Sequence, residues 1–372
     1  MASDRTKIVL VVGARPNFMK IAPILEELRR HPEQFDPCLV HTGQHYDEKM
    51  SRIFFEELGM PEPDRYLGVG SGSQATQTAR VMIAFEEVLT SEQPDLVLVV
   101  GDVNSTVACT LDAVKLHIPV GHVEAGLRSG DRTMPEEINR LVTDAISDLL
   151  FTPSRDADEN LILEGVPRDR ICFVGNVMID SLRRFEGMAE GSPILDTLNL
   201  EPKGYGLVTL HRPSNVDQPE HFEEIIQALE EIQTRLPLIF PIHPRTEKRI
   251  SEMGLQSRVE KMKDLRFVPP TGYLDFLKLQ KYARLVLTDS GGIQEETTVL
   301  GVPCLTLREN TERPITVTEG TNQLVGVDRA RIVRAATELF DRGEKPGRIP
   351  EGWDGKAAVR IVEAIAERLG EG

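Results

Sequence analysis

Cysteine is scarce in this chain and scattered where it occurs. Among 372 residues there are four, Cys38, Cys109, Cys172 and Cys304, and no two share a Cys-x-x-Cys spacing. Neither a disulfide framework nor a cysteine-built zinc site is expected. No apolar run approaches the roughly 20 residues that a membrane-spanning helix requires, so no membrane insertion is expected. The start, Met1-Ala2-Ser3-Asp4-Arg5-Thr6, has no basic stretch followed by an apolar one. The expectation is therefore no signal peptide and a cytoplasmic protein. Positive charge is also in deficit: 43 Lys and Arg against 59 Asp and Glu leave a net charge of −16. Nucleic acid and anionic membranes would be repelled at long range. Any phosphate must be held by a local cluster of Arg, Lys, His and helix termini.

What is present reads as ordinary folded protein, 40% hydrophobic and 27% charged, and long enough for two domains. Short β-branched runs alternate with segments of helical period. Lys7–Val12, Cys38–Val40, Leu96–Val100, Ile118–Val123, Leu149–Phe151 and Ile171–Val174 are strands apolar on both faces. Helical stretches separate them, including one about Met19–Arg30 and one about Asp47–Leu58. Such strands belong to a parallel sheet covered on both sides. Between about Phe185 and Tyr205 the composition turns to Gly, Pro, Ser and charge, as in a linker. The pattern then restarts with Leu207–Leu210, Leu238–Phe240, Arg266–Val268, Leu285–Leu287 and Cys304–Leu307. The expected fold class is α/β, two doubly wound Rossmann-like domains facing across a cleft. The expected bounds are 1–185 and 200–354, with a last helix at about 355–372 packing back on the first domain.

Ligands of such sheets bind at the carboxyl ends of the strands. The first of these loops, Gly13-Ala14-Arg15-Pro16-Asn17, lacks the G-x-G-x-x-G fingerprint, which removes the best support for NAD or FAD. It offers Arg15, whose fork suits phosphate, and Lys20 one turn on. Later loops carry carboxylates: Asp102, which would equally cap the next helix, Glu124 just past a buried strand, and Glu136 in the first turn of a helix. Each has a bland account. Three together, with Arg128 and Arg140 nearby in sequence, point to acid/base chemistry tuned by desolvation. In the second half His211 and Arg212 follow one strand and His243 another. Asp289-Ser290-Gly291-Gly292 then leads a strand into a helix, an anion site of backbone N–H groups. Glu296 further along could accept two hydrogen bonds from a ribose diol, and Arg313 is a second candidate clamp. His41 and His45 have i,i+4 spacing but sit in a strand-to-loop passage, so no metal site is expected.

Taken in order, Gly13-Ala14-Arg15-Pro16, His41-Thr42-Gly43-Gln44-His45, Gly101-Asp102-Val103-Asn104-Ser105, His122-Val123-Glu124-Ala125-Gly126-Leu127-Arg128, Pro135-Glu136-Glu137-Ile138-Asn139-Arg140, Leu210-His211-Arg212, Ser290–Glu296 and Thr311-Glu312-Arg313-Pro314 resemble the non-hydrolysing UDP-N-acetylglucosamine 2-epimerases. The match runs from about residue 7 to residue 326. It implies a glycosyltransferase-B-like fold and the interconversion of UDP-GlcNAc and UDP-ManNAc through 2-acetamidoglucal, with no cofactor and no essential metal. By motif, Asp102, Glu124 and Glu136 take acid/base positions, and His211 that of the histidine beside the diphosphate. Arg15, Lys20, Phe276, Ser290, Gly291, Gly292, Glu296 and Arg313 fall on UDP-binding positions. Gln44, His45, Arg140, Arg212 and His243 take allosteric or supporting ones. The family suggests a homodimer. Asn17 stands where an acidic residue is common, and Thr271 where a Gln can contact the nucleotide.

Other readings are an epimerase of another UDP-2-acetamido sugar, a hydrolysing UDP-GlcNAc 2-epimerase, a glycosyltransferase of the same fold, and a non-catalytic UDP-sugar sensor. A transferase needs one base rather than three clustered carboxylates, and a sensor has no use for them.

Overall fold

The computed structural model describes residues 5–44, 59, 62–343 and 347–370. The chain divides into two compact units: unit 1 is Met1–Arg183 with Glu351–Gly372, and unit 2 is Arg184–Pro350.

Unit 1 is built on the strands β1 (Thr6–Val12), β2 (Phe35–His41), β3 (Arg65–Tyr66), β4 (Leu96–Val100), β5 (Val120–Val123), β6 (Leu149–Thr152) and β7 (Ile171–Phe173). They form one sheet in the order β3-β2-β1-β4-β5-β6-β7, every pairing parallel. Val9, Val11, Val40, Val97 and Val99 face a core completed by Phe85, Val88, Leu89, Ala108 and Cys109. These come from the helices α2 (Gln74–Glu92) and α3 (Asn104–Lys115), while α1 (Arg15–Arg29) follows β1. The alternate residues Ile8, Leu10 and Leu98 are just as buried, because successive strand side chains point to opposite faces. This double burial is why the runs are apolar throughout. Next come α4 (Pro135–Ile146), α5 (Arg155–Leu163) and α6 (Val177–Ala189); the chain returns to unit 1 with α15 (Ala357–Gly370), which packs on α1.

Unit 2 repeats the plan with β8 (Gly206–Thr209), β9 (Leu238–Pro241), β10 (Leu265–Val268), β11 (Leu285–Thr288), β12 (Cys304–Thr306) and β13 (Asn322–Leu324). The order is β10-β9-β8-β11-β12-β13, again all parallel. Val208, Leu238, Phe240, Leu285 and Leu287 pack toward one core; Leu207, Ile239 and Val286 pack toward another on the opposite face. The helices include α7 (Ile194–Leu198), α8 (Pro213–Val216), α9 (Pro219–Ile232), α10 (Pro244–Glu252), α11 (Tyr273–Tyr282), α12 (Gly291–Leu300), α13 (Ile315–Thr318) and α14 (Arg329–Arg342), with one further turn at Gln256–Val259.

Two details differ from the sequence reading. The edge strands β3 and β13 are too short and too polar to stand out as apolar runs. The segment taken as a linker carries helix at two places: α6 runs on to Ala189, and Pro193 leads into α7, whose Leu195 is buried in the unit 2 core with Ile194 and Leu198 beside it. The helix expected at about Asp47–Leu58 and the candidate His45 lie outside the described residues. In both sheets the strand order reverses, between β1 and β4 and between β8 and β11. At such a reversal the flanking loops part and leave room for a ligand.

Candidate active site

In unit 1 the loops after β1, β4 and β5 meet. Glu124 follows β5 directly, is 4% exposed, and has a φ of +69°. A left-handed backbone is costly for a residue with a Cβ, and persists where the surroundings enforce it. Its Oε2 accepts from the Lys20 ammonium, which rises from α1, while its Oε1 is buried with no hydrogen-bond partner among the described residues. An acceptor oxygen withdrawn from water and left unpaired is costly unless a donor reaches it.

Gly101 opens the neighbouring loop at φ +70°, and a Cβ there would lie 3.4 Å from Lys20 Nζ and 3.8 Å from Glu124 Oε2. Glycine is what lets the chain pass this close to the pair. Asn17 closes the other side. Its Oδ1 accepts from the Ala14 N–H at 3.1 Å and its Nδ2 donates to the Val100 carbonyl at 2.7 Å. A carboxylate could not make that second bond, which is the physical content of having Asn here.

Asp102 does not cap α3. The N-cap residue is Val103, and the Ser105 N–H and hydroxyl donate instead to Gln44 Oε1 at 2.9 and 2.7 Å. Gln44 is thereby used up inside the fold. Asp102 pairs with Arg140 of α4 and is held through its carbonyl by Asn139 Nδ2 at 2.9 Å. Arg140 is 2% exposed and reaches Glu137 with its other face, Nε to Oε2 at 3.0 Å. Burial alone would raise the Glu137 pKa, but bonds from the Ser129 and Gly130 N–H groups and from Arg140 hold it below the usual carboxylate range. Glu136 stands exposed in the first turn of the same helix, without a hydrogen-bond or ion-pair partner among the described residues. Arg128 is not part of this group; it pairs with Asp144 at 2.7 Å and Glu164 at 2.7 Å. The side chain of Arg15 lies outside the described residues, its backbone being the first turn of α1.

In unit 2 the loops after β8, β11 and β12 supply a cationic and amide-lined group. Ser290 is the N-cap of α12 with no side-chain capping bond. The Arg313 guanidinium lies so close to Gly291 that a Cβ there would stand 2.6 Å from Nη1. At Gly292 nothing among the described residues comes within 4 Å of that position. Bare N–H groups at a helix start beside an arginine make an anion site. Arg313 is held by Glu295 at 2.5 Å, and Glu312 bridges Arg308 at 2.8 Å and Arg212 at 3.2 Å. Burial would raise Glu312, yet Arg313, Arg308 and Arg212 together drive its pKa far below normal. The cluster holds the guanidiniums of Arg212, Arg308 and Arg313 against the carboxylates of Glu295 and Glu312, with Asp289 below the Arg212 N–H.

His211 is half exposed, and its backbone N–H donates to Asp289 at 3.1 Å while Nδ1 lies 3.2 Å from the same carboxylate. Asp289 is fully buried and also takes the Arg212 N–H at 2.9 Å and Asn215 Nδ2 at 3.3 Å. Glu296, on α12, accepts from the Tyr273 hydroxyl at 2.9 Å; burial pushes its pKa up to about 7. Phe276 is partly buried against the unit 2 core. His243 keeps much of its surface exposed and accepts the Arg245 N–H at 3.2 Å as N-cap of α10; partial desolvation of the ring, with His211 and Arg245 nearby, holds it below its ordinary pKa.

Sequence reasoning passed over Asp289, Glu295, Glu312, Glu137 and Tyr273. The first four adjoin singled-out motif residues. Tyr273, 23 residues before its partner, carries no local signal.

A family model described as UDP-N-acetylglucosamine 2-epimerase matches residues 26–366. A UDP-N-acetylglucosamine 2-epimerase homolog of Methanococcus maripaludis is 46% identical, covering 96% of this chain and 99% of its own. A UDP-2,3-diacetamido-2,3-dideoxy-D-glucuronate 2-epimerase of Pseudomonas aeruginosa is 43% identical, with 97% and 99% covered. The crystal structure of the Methanocaldococcus jannaschii UDP-GlcNAc 2-epimerase in complex with UDP-GlcNAc and UDP superposes with a TM-score of 0.89 at 43% identity, over 97% of this chain and 100% of that one. With its paired Rossmann-like sheets and its ordered motifs, the chain belongs to the UDP-N-acetylglucosamine 2-epimerase family.

Proposed function

We propose that the protein epimerises UDP-GlcNAc at C2 to UDP-ManNAc without hydrolysing it. Unit 1 carries groups suited to acid/base work and unit 2 carries groups suited to holding UDP. The observation that carries this reading is Glu124, a buried carboxylate with one unpaired oxygen on a left-handed backbone, one residue past a strand and beside Lys20 and the Asp102 loop. In the forward direction a unit 1 carboxylate takes the C2 proton. The C2–H electron pair becomes the C1=C2 bond, and the C1–O bond breaks with its pair going to the β-phosphate. A proton delivered to the opposite face of C2 and return of UDP to C1 complete the cycle. A C2 proton beside an acetal is a poor acid, so base and leaving-group stabilisation must act together. The amides of Gly291 and Gly292, Arg313 and His211 are the groups suited to the departing diphosphate. Glu296 is suited to the ribose diol.

The test is incubation of the purified protein with UDP-GlcNAc alone in deuterium oxide. UDP-ManNAc carrying deuterium at C2 is expected; free ManNAc would establish the hydrolysing reaction instead, and no turnover would overturn the proposal. Glu124→Gln is expected to lower C2 exchange by about 10²–10⁴-fold while UDP still binds. Wild-type exchange in that variant would remove Glu124 from the chemistry. A second reading, the same reaction on a UDP sugar bearing further acetamido and carboxylate groups, is supported by the 43% identity to the Pseudomonas aeruginosa enzyme. The relative kcat/KM for the two sugars separates them.

A further inference from the structure

His122 lies in the middle of β5, fully buried, with Val99 and Leu150 as its cross-strand neighbours. Its neighbours are aliphatic, and an aliphatic side chain would pack there without losing the hydration of an imidazole. Both ring nitrogens are engaged. Nε2 lies 2.8 Å from the Gly101 carbonyl, which can only accept, so Nε2 carries a proton and donates. Nδ1 shares a hydrogen bond with Asp144 Oδ1 at 2.6 Å. The other oxygen of Asp144 accepts the Gly126 N–H at 3.0 Å and Arg128 Nη1 at 2.7 Å. Arg128 is fixed in turn by Glu164.

The two places where this buried chain meets the backbone are Gly101 and Gly126. Gly101 immediately precedes Asp102, and Gly126 is two residues beyond Glu124. Gly101, Glu124 and Gly126 have φ values of +70°, +69° and +80°. These turns lie past the ends of β4 and β5; the last backbone bonds to the neighbouring strands are those of the Gly101 N–H to the Val123 carbonyl and the Ala125 N–H to the Phe151 carbonyl, both at 3.1 Å. One rigid imidazole–carboxylate pair therefore pins both carboxylate-bearing turns from beneath. Burial would raise the Asp144 pKa, but His122 and Arg128 hold it below the usual range, so the pair keeps its charge-assisted bonds.

We propose that His122 and Asp144 are positioning residues that hold Asp102 and Glu124 in mutual register for proton transfer at C2. This rests on the function proposed above. Neither residue touches substrate. Misplacing a reacting group by about 1 Å can cost about 10²-fold in rate, so the loss belongs in kcat, with the grip on UDP left intact.

Two isosteric variants separate positioning from general support of the fold. In His122→Gln the carboxamide nitrogen falls near the place of Nε2 and can still donate to the Gly101 carbonyl. In His122→Asn it falls near Nδ1 and serves Asp144 alone. Each loses one of the two links, His122→Gln that to Asp144 and His122→Asn that to the Gly101 carbonyl. We expect kcat for UDP-GlcNAc and C2 deuterium uptake down about 10–100-fold in both variants, measured well below their melting temperatures. KM and the Kd for UDP are expected within about two-fold of wild type in both. Wild-type kcat in either variant, or a fall in UDP affinity as large as that in kcat, overturns the proposal. If His122→Asn does not fold, Asp144→Ala serves in its place. It removes both acceptor oxygens and so frees His122 Nδ1, the Gly126 N–H and Arg128; the same kcat-only loss is expected, and unchanged kcat overturns the proposal. A wild-type protein inert toward UDP-GlcNAc overturns this inference together with the function beneath it, whereas an active wild type with unaffected variants overturns this inference alone.

Discussion

Glu296 is 4% exposed on α12, with the Tyr273 hydroxyl on one of its oxygens. Burial raises its pKa from 4.5 to about 7, against the opposing hydrogen bond from Tyr273. The folded protein thus holds this proton more tightly than the unfolded chain does. The residue's contribution to stability is complete below about pH 4.5 and is lost as pH rises through about 7, a swing on the order of 3 kcal/mol. Glu296→Gln keeps an acceptor for Tyr273 and has no charge to desolvate. Without nucleotide it is expected to melt with wild type at pH 5 and above wild type at pH 8. Calorimetry showing wild type the more stable at pH 8 would refute this. If the carboxylate accepts a ribose diol, UDP tightens the wild type as pH rises through the same range, and the Gln variant loses that dependence; titration calorimetry at pH 6 and pH 8 reads it directly.

Loop-to-loop ties in unit 2 run through Asp289, which joins the end of β11 to the turn after β8 by accepting the His211 and Arg212 N–H groups and Asn215 Nδ2. Asp289→Asn turns an NH2 toward at least one of these donors. Unsatisfied buried donors cost about 1–3 kcal/mol each, so a lower melting temperature and weaker UDP binding are expected together. Ser290→Ala, whose hydroxyl makes no capping bond, is expected to weaken UDP binding with melting unchanged. The contrast with Asp289→Asn is the check. The elements themselves were plain in the sequence, because strands buried on two faces must be apolar at every position, as in Leu96–Val100. The short edges β3 and β13 and the helix α7 were not, since two to five residues leave no period to read. Among side chains, those fixed by local motif were identified as candidates. The partners Asp289, Glu312 and Tyr273 matter through contacts made 23 to 100 residues away, as Glu312 does to Arg212 and Tyr273 to Glu296, and spacing encodes none of these.

At the scale of the whole chain, unit 1 is discontinuous: the segment Glu351–Gly372 returns to it after unit 2 is complete. The return is well anchored. Trp353, 2% exposed, donates from Nε1 to the Pro153 carbonyl at 2.9 Å, and Asp180 accepts the Ala357 and Ala358 N–H groups that open α15. Ile361 and Ile365 are fully buried. Ile365→Ala is expected to destabilise unit 1 by about 2–5 kcal/mol while UDP titration reports an unchanged unit 2; loss of UDP binding with no change in melting would refute it. During synthesis, therefore, everything up to Arg183 must leave the ribosome with part of its core uncovered, and must wait for 167 further residues before the piece that seals it is made. The inserted unit has no such delay, so maturation should finish with the portion that began first, and exposure to aggregation or chaperones should fall on the earliest residues rather than the latest.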